Sequence, residues 1–333
     1  MYLPDSDRRA AALIDWLQTD LGLPVQTLEP ASSDASFRRY FRVGLDDGFR
    51  IVMDAPPDRE NIRPFVRIAS HLKQVGINTP TIYAENSDDG FLLLEDFGSD
   101  VFLDCLNDNN AEALYRQALA CLLQLQTTLT PSSCPLPVYD DALLQRELDI
   151  FYDWFLEKLL GIVMPDAMRR ELDRGLIESA LEQPRVFVHR DFHSRNLMVV
   201  TDNMLGVIDF QDAVIGPISY DLVSLLRDCY VAWPSERVAK WRSQHYQSLV
   251  DAGLLAVTAP VFDRWFDWMG LQRHLKAIGI FARLHLRDDK SSYLADIPRT
   301  LAYVNQVCAA YPALEEVHGF LRRQILPVYQ ASL

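Results

Sequence analysis

The sequence predicts an α+β fold in two lobes: a small β-rich lobe over residues 1–97, then a larger, mainly helical lobe over 98–333. Three observations predict it. Short runs of β-branched and aromatic residues crowd the first hundred positions. Long stretches with apolar residues at helical spacing fill most of the remainder. Between those stretches, from Arg185 to Ile208, a cluster of short apolar runs interrupts the helical pattern. A chain of 333 residues is long enough for two separate cores.

The elements follow in order. Leu13, Ile14, Leu17 and Leu21 give a helix over residues 6–21. Phe37–Val43 and Phe49–Met53 read as strands joined by a turn from Gly44 to Gly48. Asn61–Val75 is a helix, and Thr81–Ala84 and Phe91–Leu94 are strands that close the first lobe near residue 97. Helices are expected over 110–129, 141–160 and 164–182, and again from Tyr220 onward. The interruption resolves into a strand at Arg185–Val188, a loop, a strand at Leu197–Val200, a polar turn at Thr201–Asn203 and a strand from Leu205.

The loop carries the chemistry. Residues 188–198 read V-H-R-D-F-H-S-R-N-L-M, and Asp209 stands thirteen positions after Asn196, in V-I-D-F-Q. This pattern resembles the protein-kinase catalytic signature, in which a loop Asp and Asn are followed by an Asp after the next strands. Phosphoryl transfer needs a carboxylate near the attacking hydroxyl, here Asp191. It also needs oxygen donors for Mg²⁺, here the Asn196 amide and the Asp209 carboxylate. An all-oxygen set suits a hard cation and suits zinc poorly. The small sheet lobe, the larger helical lobe and the position of the motif together imply a protein-kinase-like fold. A nucleotide is then expected in the cleft between lobes. His189 is expected to hold the loop. Asp221 opens an apolar helical stretch, as an N-cap or as a buried carboxylate bracing the loop.

Composition narrows the partners. A net charge of −14 argues against nonspecific nucleic-acid binding and against attraction to anionic membranes. No run of about 18 apolar residues suggests a membrane span. Residues Met1–Asp7 lack the basic and apolar pattern of a secretory leader. Five cysteines without a C-x-x-C pair fit reduced thiols in a cytoplasm. A cytoplasmic monomer acting on a small molecule is the expectation.

On the nucleotide side, Ser33, Asp34, Ala35 and Ser36 lie between two extended segments, where small hydroxyl residues and backbone N–H groups suit phosphates. Backbone groups of Glu95 and Phe97, in L-L-L-E-D-F-G, are expected to read an adenine edge. A kinase third strand carries a phosphate-pairing Lys. Here Met53 stands about where it would fall. Arg38, Arg39, Arg42 and Arg50 are the candidate replacements, and Arg42 is the expected one.

With these residues the chain resembles the aminoglycoside phosphotransferase and choline kinase group, from Asp34 to about Arg299. No A-P-E follows Asp209, so protein kinases fit less well. Three segments, D-A-S-F-R-R-Y-F-R (34–42), V-M-D-A-P-P (52–57) and Q-R-H-L-K (272–276), look most like the anomeric amino-sugar kinases of that group. The resemblance implies ATP and Mg²⁺ as cofactors. It implies N-acetylmuramate and N-acetylglucosamine as amino-sugar substrates, phosphorylated at C1 in peptidoglycan recycling. It also implies Asp191 as catalytic base, with Asn196 and Asp209 as metal ligands. A muramate carboxylate calls for a cation, and residues 271–287 hold Arg273, Lys276, Arg283 and Arg287 with no acid. Arg273 and His274 are the expected carboxylate and acetamido contacts, with Glu147 and Asp212 on sugar hydroxyls. The alternatives are an aminoglycoside or other small-molecule phosphotransferase, and a nucleotide-binding regulator without catalysis.

Overall fold

The computed structural model describes residues 7–33, 37–129, 134–201 and 204–332. In chain order the elements begin with α1 (Arg8–Asp15), β1 (Thr27–Ser33), β2 (Arg39–Leu45), β3 (Gly48–Asp54), α2 (Arg63–Gln74), β4 (Ile82–Asn86) and β5 (Phe91–Glu95). Helices α3 (Phe102–Cys105), α4 (Ala111–Thr128), α5 (Asp141–Ile150) and α6 (Asp166–Leu181) follow. Four short strands come next: β6 (Arg185–Val188), β7 (Leu197–Thr201), β8 (Met204–Val207) and β9 (Val214–Pro217). Helices α7 (Tyr220–Leu226), α8 (Ser235–Asp251), α9 (Ala259–Asp288), α10 (Ile297–Ala310), α11 (Glu315–Phe320) and α12 (Leu326–Ser332) complete the chain. The α+β class and the order of elements agree with the sequence reading, with β1 and β9 as added strands and α3 as an added short helix.

Contacts divide the chain into two units. The first comprises residues 1–101 and 198–212. Its main sheet has the order β1-β2-β3-β5-β4, antiparallel throughout. Alternation along β2 turns Phe41, Val43 and Leu45 to one face, where they pack with Leu13, Trp16 and Leu17 from the first helical segment. Burying each such side chain contributes roughly 1.5–3 kcal/mol. Strand β5 is interior, between β3 and β4, and all of Phe91, Leu92, Leu93 and Leu94 are buried. Gly90, at φ 74°, starts that strand where a Cβ would meet the Ala55 carbonyl oxygen at 2.0 Å, so only glycine fits.

The sequence reading ends the first lobe at residue 97. The structure carries the first unit to Val101 and adds 198–212, because main-chain bonds tie the two pieces. Val199 N–H reaches Asp100 O at 2.8 Å, and Val207 N–H reaches Asn78 O at 2.8 Å.

The second unit comprises residues 102–197 and 213–333. Its centre is α9, thirty residues long and buried on most sides. Leu271, Leu275, Ile278 and Ala282 join Leu148, Phe151, Phe155, Leu172 and Leu301 in one core. Asp140 caps α5 by accepting the Leu143 N–H at 2.8 Å. The expected single helix over 141–160 is continuous, but its pitch widens from Phe151 to Leu159. Gly279 of α9 sits against that change. A Cβ there would lie 2.6 Å from the Ile150 carbonyl. Strands β6 and β9 pair antiparallel, Val188 opposite Val214. Among the described residues no helix is long and apolar enough to cross a membrane.

Candidate active site

The loop 189–196 leaves the end of β6 and is pinned along its length. Arg190 adopts φ 76°, a left-handed conformation that costs a non-glycine residue on the order of 1 kcal/mol or more. Asp221, buried near the start of α7, holds that turn by accepting the N–H of His189 at 2.6 Å and of Arg190 at 3.0 Å. Asp228, equally buried, accepts the Ser194 N–H at 2.9 Å and the Tyr230 N–H at 2.9 Å. The loop also bonds to itself. His193 N–H donates to Asp191 O at 3.0 Å, and Asn196 N–H donates to His193 O at 3.0 Å. Asn196 Nδ2 donates to Asp191 O at 3.1 Å. With its nitrogen tied in this way, the Asn196 amide has only its oxygen with which to ligate a cation.

Beneath the loop lies a buried ionic cluster. Glu147 Oε1 meets Arg190 Nη2 at 2.6 Å and Lys276 Nζ at 2.9 Å. Glu147 Oε2 accepts from Gln272 Nε2 at 3.2 Å and from the Tyr139 hydroxyl. Lys276 also donates to the Tyr220 hydroxyl at 3.0 Å. These cations set the charge of Asp191, which remains partly open to solvent. Burial raises its pKa, but Lys276, His193, Arg190 and Arg273 outweigh burial and hold it at about 2. Asp191 is therefore ionised at neutral pH. It suits accepting a hydrogen bond from an alcohol and taking the proton late. Burial, joined by the nearby charge of Asp191, pushes Asp221 up to about 7 against the two N–H bonds. His193 is lowered by burial, and its Nδ1 has no hydrogen-bond partner among the described residues.

The first unit presents Asp209 just after β8. Asp209 also adopts a left-handed conformation, φ 62°, and its Oδ1 accepts from Gln211 Nε2 at 2.7 Å. The neighbouring Phe210 ring packs on Phe65 with centroids 4.7 Å apart. Gly206 lies under the Phe97 ring, where a Cβ would stand 2.5 Å from Cδ2.

Comparison with known proteins identifies the family. The profile of the phosphotransferase enzyme family matches residues 27–259. The chain belongs to that family. This phosphotransferase is 44% identical over 330 residues to an N-acetylmuramate/N-acetylglucosamine kinase of Pseudomonas putida, covering 95% of this chain and 96% of the relative. It is 40% identical over 323 residues to a kinase of the same name from Neisseria meningitidis serogroup B, covering 94% and 95%. Among solved structures, a choline kinase from Streptococcus pneumoniae is similar with a TM-score of 0.66 at 14% identity, covering 91% of this chain and 99% of that one. An ADP-bound aminoglycoside phosphotransferase is similar with a TM-score of 0.58 at 14% identity, covering 90% and 99%. At such identity the likeness shows the protein-kinase-like fold.

Several expected site residues of the phosphotransferase stand elsewhere than the sequence suggested. Glu147 was expected on a sugar hydroxyl; its carboxylate is instead consumed by Arg190, Lys276, Gln272 and Tyr139. His274 is fully buried, stacks on Tyr303 at 4.9 Å and uses Nε2 on the Arg227 carbonyl at 2.9 Å, so it belongs to the core. Burial drives its pKa down to about 3. Arg273 is buried beside Cys229, Nη1 to Sγ 3.7 Å, with Nε lacking a hydrogen-bond partner among the described residues. Arg42 is committed to Asp96 at 2.6 and 2.9 Å and to Gly98 O at 2.8 Å, which removes it as the phosphate cation. Asp212 is mostly exposed and lies 3.8 Å from Arg38. Glu95 spends its N–H on Thr81 O at 2.8 Å, so that group does not read a base. Asp34, Ala35 and Ser36, and the side chain of Ser33, lie outside the described residues. The sequence reading missed Arg190 and Asp228, and it placed Lys276 only within a cationic run, not on Glu147. Asp228 did leave a signal, as an acid seven positions after Asp221 in a mostly apolar run, D-L-V-S-L-L-R-D.

Proposed function

We propose that this phosphotransferase moves the γ-phosphoryl group of ATP to the C1 hydroxyl of N-acetylmuramate and N-acetylglucosamine. The observation that carries the substrate is the 44% identity to a kinase of that name over 95% of the chain. The chemistry rests on Asp191, a carboxylate held ionised by surrounding cations. Asp191 accepts a hydrogen bond from the C1 hydroxyl and aligns its oxygen. The new bond joins that oxygen to the γ-phosphorus, the bond to the bridging β–γ oxygen breaks, and ADP departs. The hydroxyl proton passes to Asp191 late, because a loose transition state demands little activation of the nucleophile.

The Asn196 amide oxygen and the Asp209 carboxylate fit Mg²⁺, a hard ion that takes few protein oxygens and completes its shell with phosphates and water. When bound, the ion neutralises phosphate charge. We place the enzyme in the cytoplasm, as a monomer, in peptidoglycan recycling.

Incubating the protein with ATP and each sugar, and scoring acid-labile sugar 1-phosphate, tests the reading. Both amino sugars are expected to turn over. Phosphorylation of kanamycin-like compounds with neither sugar accepted overturns the choice of substrate in favour of an aminoglycoside.

A further inference from the structure

We propose that Arg195 binds the lactyl carboxylate of N-acetylmuramate and so sets the preference between the two amino sugars. The assignment deepens the function proposed above and rests on it. Every residue that carries it belongs to the second unit.

The two sugars differ at C3, near the reacting end. N-acetylmuramate carries a lactyl carboxylate there, and N-acetylglucosamine carries a hydroxyl. A site that distinguishes them needs a cation a short way from Asp191. Three cations around the loop are engaged elsewhere. Arg190 and Lys276 hold Glu147, and Arg273 is buried beside Cys229. Arg195 stands four residues after Asp191 on the same loop, and its side chain is 41% exposed. Its nearest carboxylate oxygen among the described residues is that of Asp296, at 3.9 Å, and Asp296 is itself held by Arg299 at 3.2 Å.

An aromatic platform fixes Arg195. Its Cζ lies 3.7 Å from the centre of the Tyr230 ring and 5.7 Å from that of Tyr293. Both rings lean on Phe281 of α9, with centroids 6.2 and 5.8 Å away. The Tyr230 N–H is anchored on Asp228, which also holds the Ser194 N–H. A guanidinium stacked on a ring face is preorganised, yet its N–H groups stay in its own plane, where a carboxylate can take two of them. His193 links this platform to the reacting carboxylate. Its N–H is bonded to the Asp191 carbonyl at 3.0 Å, and its ring stands edge-on to Tyr230 at 5.2 Å. His193 is only 8% exposed, and its Nδ1 has no hydrogen-bond partner among the described residues. A buried polar atom in that state calls for a partner, and the acetamido group at C2 offers both a donor and an acceptor. Asp191, His193 and Arg195 thus follow the substituents of C1, C2 and C3 in order.

Steady-state kinetics with each sugar, at saturating ATP and Mg²⁺, tests the assignment on the full chain. Arg195→Met is expected to lower kcat/KM for N-acetylmuramate, relative to that for N-acetylglucosamine, by about tenfold to a hundredfold, the loss of one charged contact. The change should fall on KM more than on kcat, since the carboxylate is bound alike in ground and transition states. Arg195→Lys should recover part of the ratio, because it keeps the charge and loses the fork. Should Arg195→Met not fold, Arg195→Gln carries the same expectation. A ratio unaltered in the neutral variant overturns the assignment, and an equal loss for both sugars marks a role in holding the loop instead. Failure of the unaltered protein to phosphorylate either sugar is a different result, and it removes the substrate reading itself together with this assignment.

Discussion

The loop 189–196 and the turn around Asp209 each contain one residue forced into a left-handed conformation, Arg190 at 76° and Asp209 at 62°. They are held in very different ways. The loop is fixed by two buried carboxylates, Asp221 and Asp228, and sits on the Glu147 cluster. The turn around Asp209 is held by a glutamine bond and by aromatic packing of Phe210 on Phe65. The difference follows from what each must do. A group that handles a proton depends on a tuned field, so its surroundings are charged and rigid. A metal ligand needs only direction, because the cation brings its own charge.

Substitutions that separate the two regions break or sharpen this contrast. The largest effect is expected from Asp191→Asn, which should lower turnover by about 10³-fold or more while leaving ATP affinity near that of the unaltered protein. Steady-state kinetics beside nucleotide titration checks both halves, and undiminished turnover removes Asp191 from the mechanism. Next is Glu147→Gln, which leaves Arg190 and Lys276 buried without their anion and should cost about 3–5 kcal/mol by chemical denaturation. A loss under about 1 kcal/mol would mean that the cluster is not what holds the loop. Asp209→Asn should act on metal dependence instead. The Mg²⁺ needed for nucleotide binding should rise by at least the roughly tenfold to hundredfold that loss of a supporting group costs. Its folding stability should change far less than that of Glu147→Gln.

The pH dependence of stability is the subtlest prediction, because the carboxylates pull in opposite directions. Glu147, opposed by burial but lowered to about 2 by Lys276 and Arg190, stabilises the fold above the ordinary glutamate value of 4.5. That contribution is lost as the pH falls from 4.5 towards 2. Asp221 is raised by burial to about 7, so the folded state binds its proton more tightly than the unfolded chain does. Its contribution is present below the ordinary aspartate value of 3.8 and is lost as the pH rises to about 7. Denaturation across this range should show a decline of a few kcal/mol above pH 4, flattened in Asp221→Asn. A decline unaltered by that substitution would assign it to another group.

Much of this was legible in the sequence because the informative residues are local. Asp191, Asn196 and Asp209 span nineteen positions, and their spacing reports a loop and the strands after it. Strands β2 to β5 of the first unit followed from short apolar runs and turn residues in the same way, whereas their order in the sheet and the added strand β1 did not. What escaped was set by distant partners. Glu147 lies 43 residues from Arg190, and nothing near it announces an ion pair. The run 271–287 carries no acid of its own, which suggested a cationic surface for a ligand. In the folded chain Lys276 is instead answered by Glu147 on α5, and His274 by a main-chain carbonyl. Arg42 was misread because its partner, Asp96, is 54 positions away at the end of β5. Periodicity tells which residues share a face, but not which charge another element brings to it.

The crossing at Gly279 ties stability to chemistry. Gly279 sits three residues beyond Lys276, and the backbone it touches, at Ile150, lies three residues beyond Glu147. Replacing its hydrogen with a methyl group would pry the two helices apart at their point of closest approach. The displacement would reach the Glu147–Lys276 pair within one helical turn on each side. The field felt by the reacting carboxylate is thus regulated by the absence of a single side chain.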